Sequence, residues 1–126
     1  MRRIYDLVGK PFAEGGKGPD GYDCWGLAVE VFRRYGIVIP DYRLTCATVT
    51  NGVTDNRDKW TRCVGEVPAP ALIVFTTAGV ADHVGVYLGG DRFIHAHSSA
   101  GVVITAVDHV FWKRRIEGYY APGWLT

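Results

Sequence analysis

The run His83-Val84-Gly85-Val86-Tyr87-Leu88-Gly89-Gly90-Asp91-Arg92-Phe93-Ile94-His95-Ala96-His97 places two alternating stretches on either side of a Gly-Gly-Asp break. Such a pattern predicts a β-hairpin. Residues two apart in a strand share a face, so His83, Gly85 and Tyr87 look one way while Val84, Val86 and Leu88 look the other. By the same rule Phe93, His95 and His97 lie opposite Ile94 and Ala96. A two-residue loop at Gly90-Asp91 sets Val86 across from His95 and separates the histidines; a three-residue loop, Gly89-Gly90-Asp91, pairs Gly85 with His95 and His83 with His97. The three-residue loop gathers the histidines on one face, with Gly85 leaving room for the ring of His95.

Working outward, the apolar positions Leu27, Ala28, Val31, Phe32 and Tyr35 recur at helical spacing, with Glu30, Arg33 and Arg34 on the other arc. Asp23 is a suitable N-cap, Gly36 a left-handed C-terminal cap, and Pro40 prevents resumption. Cys24 therefore falls in the first turn of the helix. The preceding residues 9–22 are rich in Gly and Pro and predict a loop of the kind that lines sites. Residues 41–66 read as mostly irregular, with a short helix expected within Asp55 to Val64 around Trp60. After Pro68-Ala69-Pro70 come strand-like runs at Ala71 to Thr76, His83 to Leu88, Arg92 to His97, Val102 to Val107 and Ile116 to Ala121. A helix followed by successive strands predicts one α+β domain over residues 1–126, the helix packed on an antiparallel sheet.

The 126 residues, 48% of them hydrophobic, suffice for one ordinary core and leave no second domain to expect. A net charge of +1 gives no broad basic field, so nucleic acid is not an expected partner, and Lys113-Arg114-Arg115 reads as a solvated edge. No apolar run is long enough to insert in a membrane, and Met1 to Asp6 is followed by no signal-peptide core, which predicts a soluble chain made in the cytoplasm and not exported. The three cysteines, Cys24, Cys46 and Cys63, have no CxxC spacing and cannot all pair within the chain. At least one thiol is free; a Cys46–Cys63 bridge stays open, although the lack of a secretion signal predicts reduced thiols.

The stretch Gly21-Tyr22-Asp23-Cys24-Trp25-Gly26-Leu27-Ala28 alone describes only a capped helix with a thiol in its first turn. The helix face that carries Cys24 is the one expected against the sheet, which points the thiol toward the histidines. Helix N-termini and nearby imidazolium lower a cysteine pKa from about 8.5 into the range of roughly 3.5 to 7.5. On this reading Cys24 is the nucleophile, His83 its base and later the acid for the leaving amine, and His95 the residue that orients the base, ahead of His97. Backbone N–H groups at the helix start, that of Cys24 included, face the oxyanion. Cys24, His83, His95 and His97 are also recognised zinc ligands, but the capped helix and the motif order favour hydrolysis without metal or cofactor. Phe12 and Trp25 either line a substrate groove or close the edge of the core, and both readings stay open. Asp23 is an N-cap first and an electrostatic participant second, not a catalytic residue; with Phe12, Trp25 and His97 it makes up the candidate substrate-binding set. His109 is expected in a surface turn, and Tyr87, Trp60, Trp112 and Trp124 in packing.

Asp23-Cys24-Trp25-Gly26-Leu27, His83-Val84-Gly85-Val86-Tyr87 and Phe93-Ile94-His95-Ala96 resemble the motifs of the NlpC/P60 family of papain-like cysteine peptidases, over nearly the whole chain. The resemblance implies the papain-like NlpC/P60 fold, a Cys24–His83–His95 triad, and cleavage of peptidoglycan stem peptides, commonly between D-γ-glutamyl and a diamino acid. Two positions depart from the family pattern: Trp25 stands where Ser is usual, and Phe12 where a loop Tyr is usual, which removes a phenol from substrate positioning. Together with Ile39-Pro40-Asp41-Tyr42 the cysteine motif looks like the subgroup encoded with phage and prophage tail genes. That likeness implies tail proteins as partners and action at the cell wall from a virion or tail-like particle. A wall-binding or tail-assembly module that does not cleave, and a thiol amidase or acyltransferase, are the competing functions.

Overall fold

The Asp23 side chain accepts a hydrogen bond of 2.6 Å from the Gly26 backbone N–H, and the helix it caps, α1, runs Cys24–Arg34 in the computed structural model of the chain. The structure describes residues 4–40 and 60–123. Gly36 follows the helix at φ 82°, the left-handed cap expected from the sequence. On the polar arc Glu30 is bonded to both Arg33 and Arg34, and Arg34 reaches Asp6 in the N-terminal 3-10 turn.

The strands are β1 (Trp60–Arg62), β2 (Ala71–Thr77), β3 (Val80–Gly89), β4 (Arg92–His97), β5 (Gly101–Ala106) and β6 (Ile116–Pro122). They form one antiparallel sheet in the order β1-β6-β2-β3-β4-β5. The α+β expectation holds, with one local correction: the stretch around Trp60 is a strand, not a helix. Trp60 pairs with Pro122 and buries its ring edge-on to Trp25 and Phe32, so tertiary packing overrides the local pattern. The remainder of that expected helix up to Lys59, together with Asp41, Tyr42, Cys46 and Trp124, lies outside the described residues.

The hairpin reaches the expected register by a different route. Gly90 and Asp91 form a tight turn, both at positive φ as a type I′ turn requires, and Gly89 pairs with Arg92 across it. An extra residue in β3, Leu88, then shifts the pairing, so that Tyr87 meets Phe93 and Val86 meets Ile94. This is a two-residue turn plus a β-bulge in place of the three-residue loop. The register still brings Gly85 against His95: a Cβ on Gly85 would lie 3.3 Å from that of His95.

The sheet buries both faces. Leu72, Val74, Val84, Val86, Ile94, Ala96 and Val102 pack with Leu27, Ala28, Val31 and Phe32 of α1. Ile73, Phe75 and Phe93 form a second core on the opposite face, covered by Tyr87, Trp112, Ile116 and Tyr119. Since His83 and His95 contact Phe75 and Phe93, the histidines lie on the face away from the helix. The apolar stripe of α1 thus covers the sheet face opposite the histidines, with Cys24 at the end of the helix.

Gly26 sits where the loop carbonyl of Gly16, which also accepts from the Asp23 N–H at 3.0 Å, leaves no room for a side chain. Gly26→Ala is expected to force this loop off the helix start and to cost about 1–3 kcal/mol, the usual range for overpacking. Urea denaturation of the reduced protein measures it.

Candidate active site

His83 and His95 come from adjacent strands and meet directly: His83 Nε2 lies 2.9 Å from His95 Nδ1. The other nitrogen of His95, Nε2, lies 3.0 Å from Thr105 Oγ1 on β5. His95, 1% exposed, is among the buried polar residues of the fold. His97, on the same face, does not join this chain. Its Nδ1 accepts from Ser99 instead, 3.2 Å from the backbone N and 2.8 Å from Oγ.

An aromatic layer encloses the pair. Trp112 stacks on His83 at 5.3 Å and 28°, and stands edge-on to His95 at 4.8 Å. Phe75 and Phe93 lie beneath at 5.5 Å from His83 and 4.6 Å from His95. Trp112, expected in ordinary packing, is thus a wall of the site. The sequence signal for it is weak, because its position depends on the long return between β5 and β6. Thr105 was more findable, since alternation from Val103 puts it on the histidine face of its strand.

Burial disfavors the charged imidazoles and dominates their protonation. It pushes His83 down from 6.5 to about 4, aided by His97 and opposed by Asp82. His95 is pushed down to about 3, again by burial first, then by His83, His97 and His109.

A cleft of about 510 Å³ opens over His83, with Phe12, Glu14, Asp82, His97 and Arg115 among its walls. Glu14 and Asp82 bring negative charge to it and Arg115 positive charge. A second cleft, of about 540 Å³, lies beside His95, Thr105 and His109 and shares Trp112 with the first.

Cys24 opens α1, buried at 1% exposure, and is disulfide-bonded in this structure. The expectation of reduced thiols fails here, because a compartment argument says nothing about which sulfurs the fold brings within reach. Cys63 is a free thiol, so the Cys46–Cys63 bridge is not formed. The loop before Cys24 is tied to the first cleft through Phe12: this cleft residue bridges to Tyr22, and Tyr22 N donates to Pro11 O at 3.1 Å. Trp25 turns inward instead. It is 1% exposed and its indole N–H donates to Pro40 O at 3.1 Å, which makes it a core residue and removes it from the groove. Asp23 is likewise buried, at 3% exposure, with its carboxylate on the helix cap. Phe12 and His97 keep their place at the cleft, and His109 is exposed in a turn as expected. Among the described residues no group of three or more His, Cys, Asp or Glu is arranged to hold a metal ion, and no helix is long and apolar enough to cross a membrane.

Comparison with known proteins places these motifs in a wider set. The profile described as the NlpC/P60 family matches residues 9–120. The murein DD-endopeptidase MepS/murein LD-carboxypeptidase of Escherichia coli K12 is 29% identical over 91% of this chain and 57% of its own length. The murein DD-endopeptidase MepH of the same strain is 30% identical over 94% of this chain and 43% of its own. The chain thus spans about half the length of these relatives. A crystal structure of an NLP/P60 family protein similar to lipoprotein, from Staphylococcus aureus Mu50, superposes with a TM-score of 0.68 at 26% identity, over 94% of this chain and 38% of that one.

Both depressed imidazoles bind protons more weakly in the folded chain than in the unfolded one. Their contribution to stability is present above pH 6.5 and is lost as pH falls toward 4, at up to about 1.4 kcal/mol per pH unit for each ring. Urea midpoints at pH 7.5 and 4.5 should differ accordingly, and His95→Gln should narrow the difference.

Removing the stacked indole admits water to His83. Trp112→Ala is expected to raise the His83 pKa from about 4 toward 6.5, followed by NMR titration of its ring protons.

Proposed function

The chain belongs to the NlpC/P60 family of cysteine peptidases, and on that premise we propose that it hydrolyses peptidoglycan stem peptides, with Cys24 as nucleophile, His83 as base and His95 as orienting residue. The observation that carries this reading is the His83–His95 hydrogen bond beneath a cleft whose rim is tied to the residues just before Cys24. His83 commits Nε2 to His95, which leaves Nδ1 as the nitrogen for the thiol proton. The reduced Cys24 gives its proton to His83 Nδ1 and its sulfur attacks the amide carbonyl. His83 then protonates the departing amine. Water, deprotonated by the same nitrogen, attacks the thioester, releases the new carboxylate and restores the thiol. The start of α1 favours both the thiolate and the oxyanion.

A stem peptide carries carboxylates and an ammonium group, and a cleft with Glu14, Asp82 and Arg115 on its walls offers partners for both signs. The bond we assign is the D-γ-glutamyl–diamino acid amide. Delivery by a phage or prophage tail is the setting suggested by Asp23 to Leu27 with Ile39 to Tyr42; detection of the chain in purified tail particles by mass spectrometry tests it. The whole of residues 1–126 serves as one catalytic domain in this reading.

Because Cys24 is disulfide-bonded, turnover of muropeptides is expected only after a thiol reductant is added. Under those conditions Cys24→Ala should lose at least about a thousandfold in kcat, and mass spectrometry of the digest should place the new amine on the diamino acid. Full hydrolysis by Cys24→Ala would overturn the assignment. Muropeptide binding by the reduced wild type without turnover would instead mark a wall-binding module.

A further inference from the structure

We propose that Thr105 is a positioning residue that fixes the tautomer of His95 and thereby keeps His83 able to accept a proton. The inference rests on the roles proposed above for Cys24, His83 and His95. A neutral imidazole has one N–H and one lone pair. For His83 to receive the thiol proton on Nδ1, that nitrogen must carry the lone pair, so its own proton sits on Nε2. That N–H points at His95 Nδ1, 2.9 Å away, which must accept it. His95 then holds its proton on Nε2, and the atom 3.0 Å from it is Thr105 Oγ1, acting as acceptor.

The same three groups can be wired in reverse. Thr105 then donates to His95 Nε2, His95 Nδ1–H donates to His83 Nε2, and the proton of His83 is left on Nδ1. In that state His83 has no lone pair to offer the thiol. The relay therefore serves the thiol in only one direction, the one in which the Thr105 hydroxyl accepts from His95 Nε2–H, and a side chain without that acceptor loses the partner the productive tautomer needs.

The fold places that acceptor for the purpose. Thr105 pairs with Phe93 across β4–β5, which sets it diagonal to His95 on the histidine face. His95 is 1% exposed, so the hydroxyl and not bulk solvent is the group that meets its Nε2. A valine there has nearly the same shape and no acceptor; it leaves the Nε2–H unsatisfied and shifts the proton to Nδ1. The relation parallels the way partners behind a catalytic histidine set which nitrogen is protonated.

The test uses the full chain, reduced and labelled with 15N-histidine. Long-range 1H–15N correlation spectra read the His95 tautomer directly, without reference to any substrate. The wild type is expected to show His95 as the Nε2–H form. Thr105→Val should move it toward Nδ1–H, lower kcat on muropeptides roughly 10–100-fold with KM little changed, and slow alkylation of Cys24 by iodoacetamide near neutral pH. Thr105→Ser should restore all three. An Nδ1–H tautomer in the wild type overturns the proposal whether or not any variant folds. So does a Thr105→Val protein with unchanged tautomer and kcat. Loss of the triad assignment shows differently: Cys24→Ala then keeps its turnover, while the tautomer of His95 is unaffected by that result.

Discussion

Leu88 is skipped in the pairing of β3 with β4, between Tyr87 opposite Phe93 and Gly89 opposite Arg92, and the rest of the site follows from that insertion. With it, Tyr87 meets Phe93, Gly85 falls beside His95, and the imidazole of His83 lies within hydrogen-bond reach of its neighbour. Without it, Val86 would oppose His95 and every side chain of one strand would change face. Such a slip would also turn Val84 and Val86 away from Leu27, Val31 and Phe32 of the helix. Packing on one face and chemistry on the other are thus set by the same register. The apolar face enforces it, because burying those valines is worth more than any single polar contact.

The dryness of the histidine face makes the state of the sulfur decisive. A His83 pKa near 4, against 6.5 in water, corresponds to about 3 kcal/mol disfavouring the imidazolium. In the roles proposed for Cys24 and His83, a thiolate brought to about 4 Å from the ring, at an effective dielectric of about 20, would contribute about 4 kcal/mol in the other direction. The two are close in size, so on that proposal the charged pair would be near balance once the thiol is reduced. With Cys24 in a disulfide there is no thiolate, and His83 stays neutral. Trp112 maintains this poise by covering His83 with its face.

What could be read from the sequence was what depends on neighbours along the chain. The Asp23 cap, the helical spacing from Leu27 to Tyr35 and the Gly36 stop are local features, and the structure contains each of them. The hairpin register was legible in outcome because only one register brings the histidines together, but the bulge at Leu88 that produces it left no mark distinct from a longer turn. Features that need distant partners were not legible. Trp60 is a strand residue because Trp25 and Phe32 wait for it on the helix, and Trp25 is a core residue for the converse reason. Trp112 reaches the histidines only through the return of the chain toward β6, and the oxidation of Cys24 depends on three-dimensional proximity alone.

The separation of helix and histidines onto opposite faces raises the question of how one cleft can serve both. The segment before Cys24 also positions the start of α1. That segment is lashed to the sheet at one end: Gly9 N donates to Val102 O and Val102 N to Lys10 O, both at 2.9 Å. Val102 follows Gly101, the partner of His97, so the lashing point is the strand end where the histidine face terminates. From there Phe12 bridges back to Tyr22, and Asp23 N is held by Gly16 O at 3.0 Å. The start of the helix is fixed by this folded loop together with the burial of Trp25 against Trp60. The Gly and Pro content of residues 9–22 is therefore a positional requirement: a loop that must pair with itself, touch β5 and clear the Gly26 backbone within so few residues has little room for side chains.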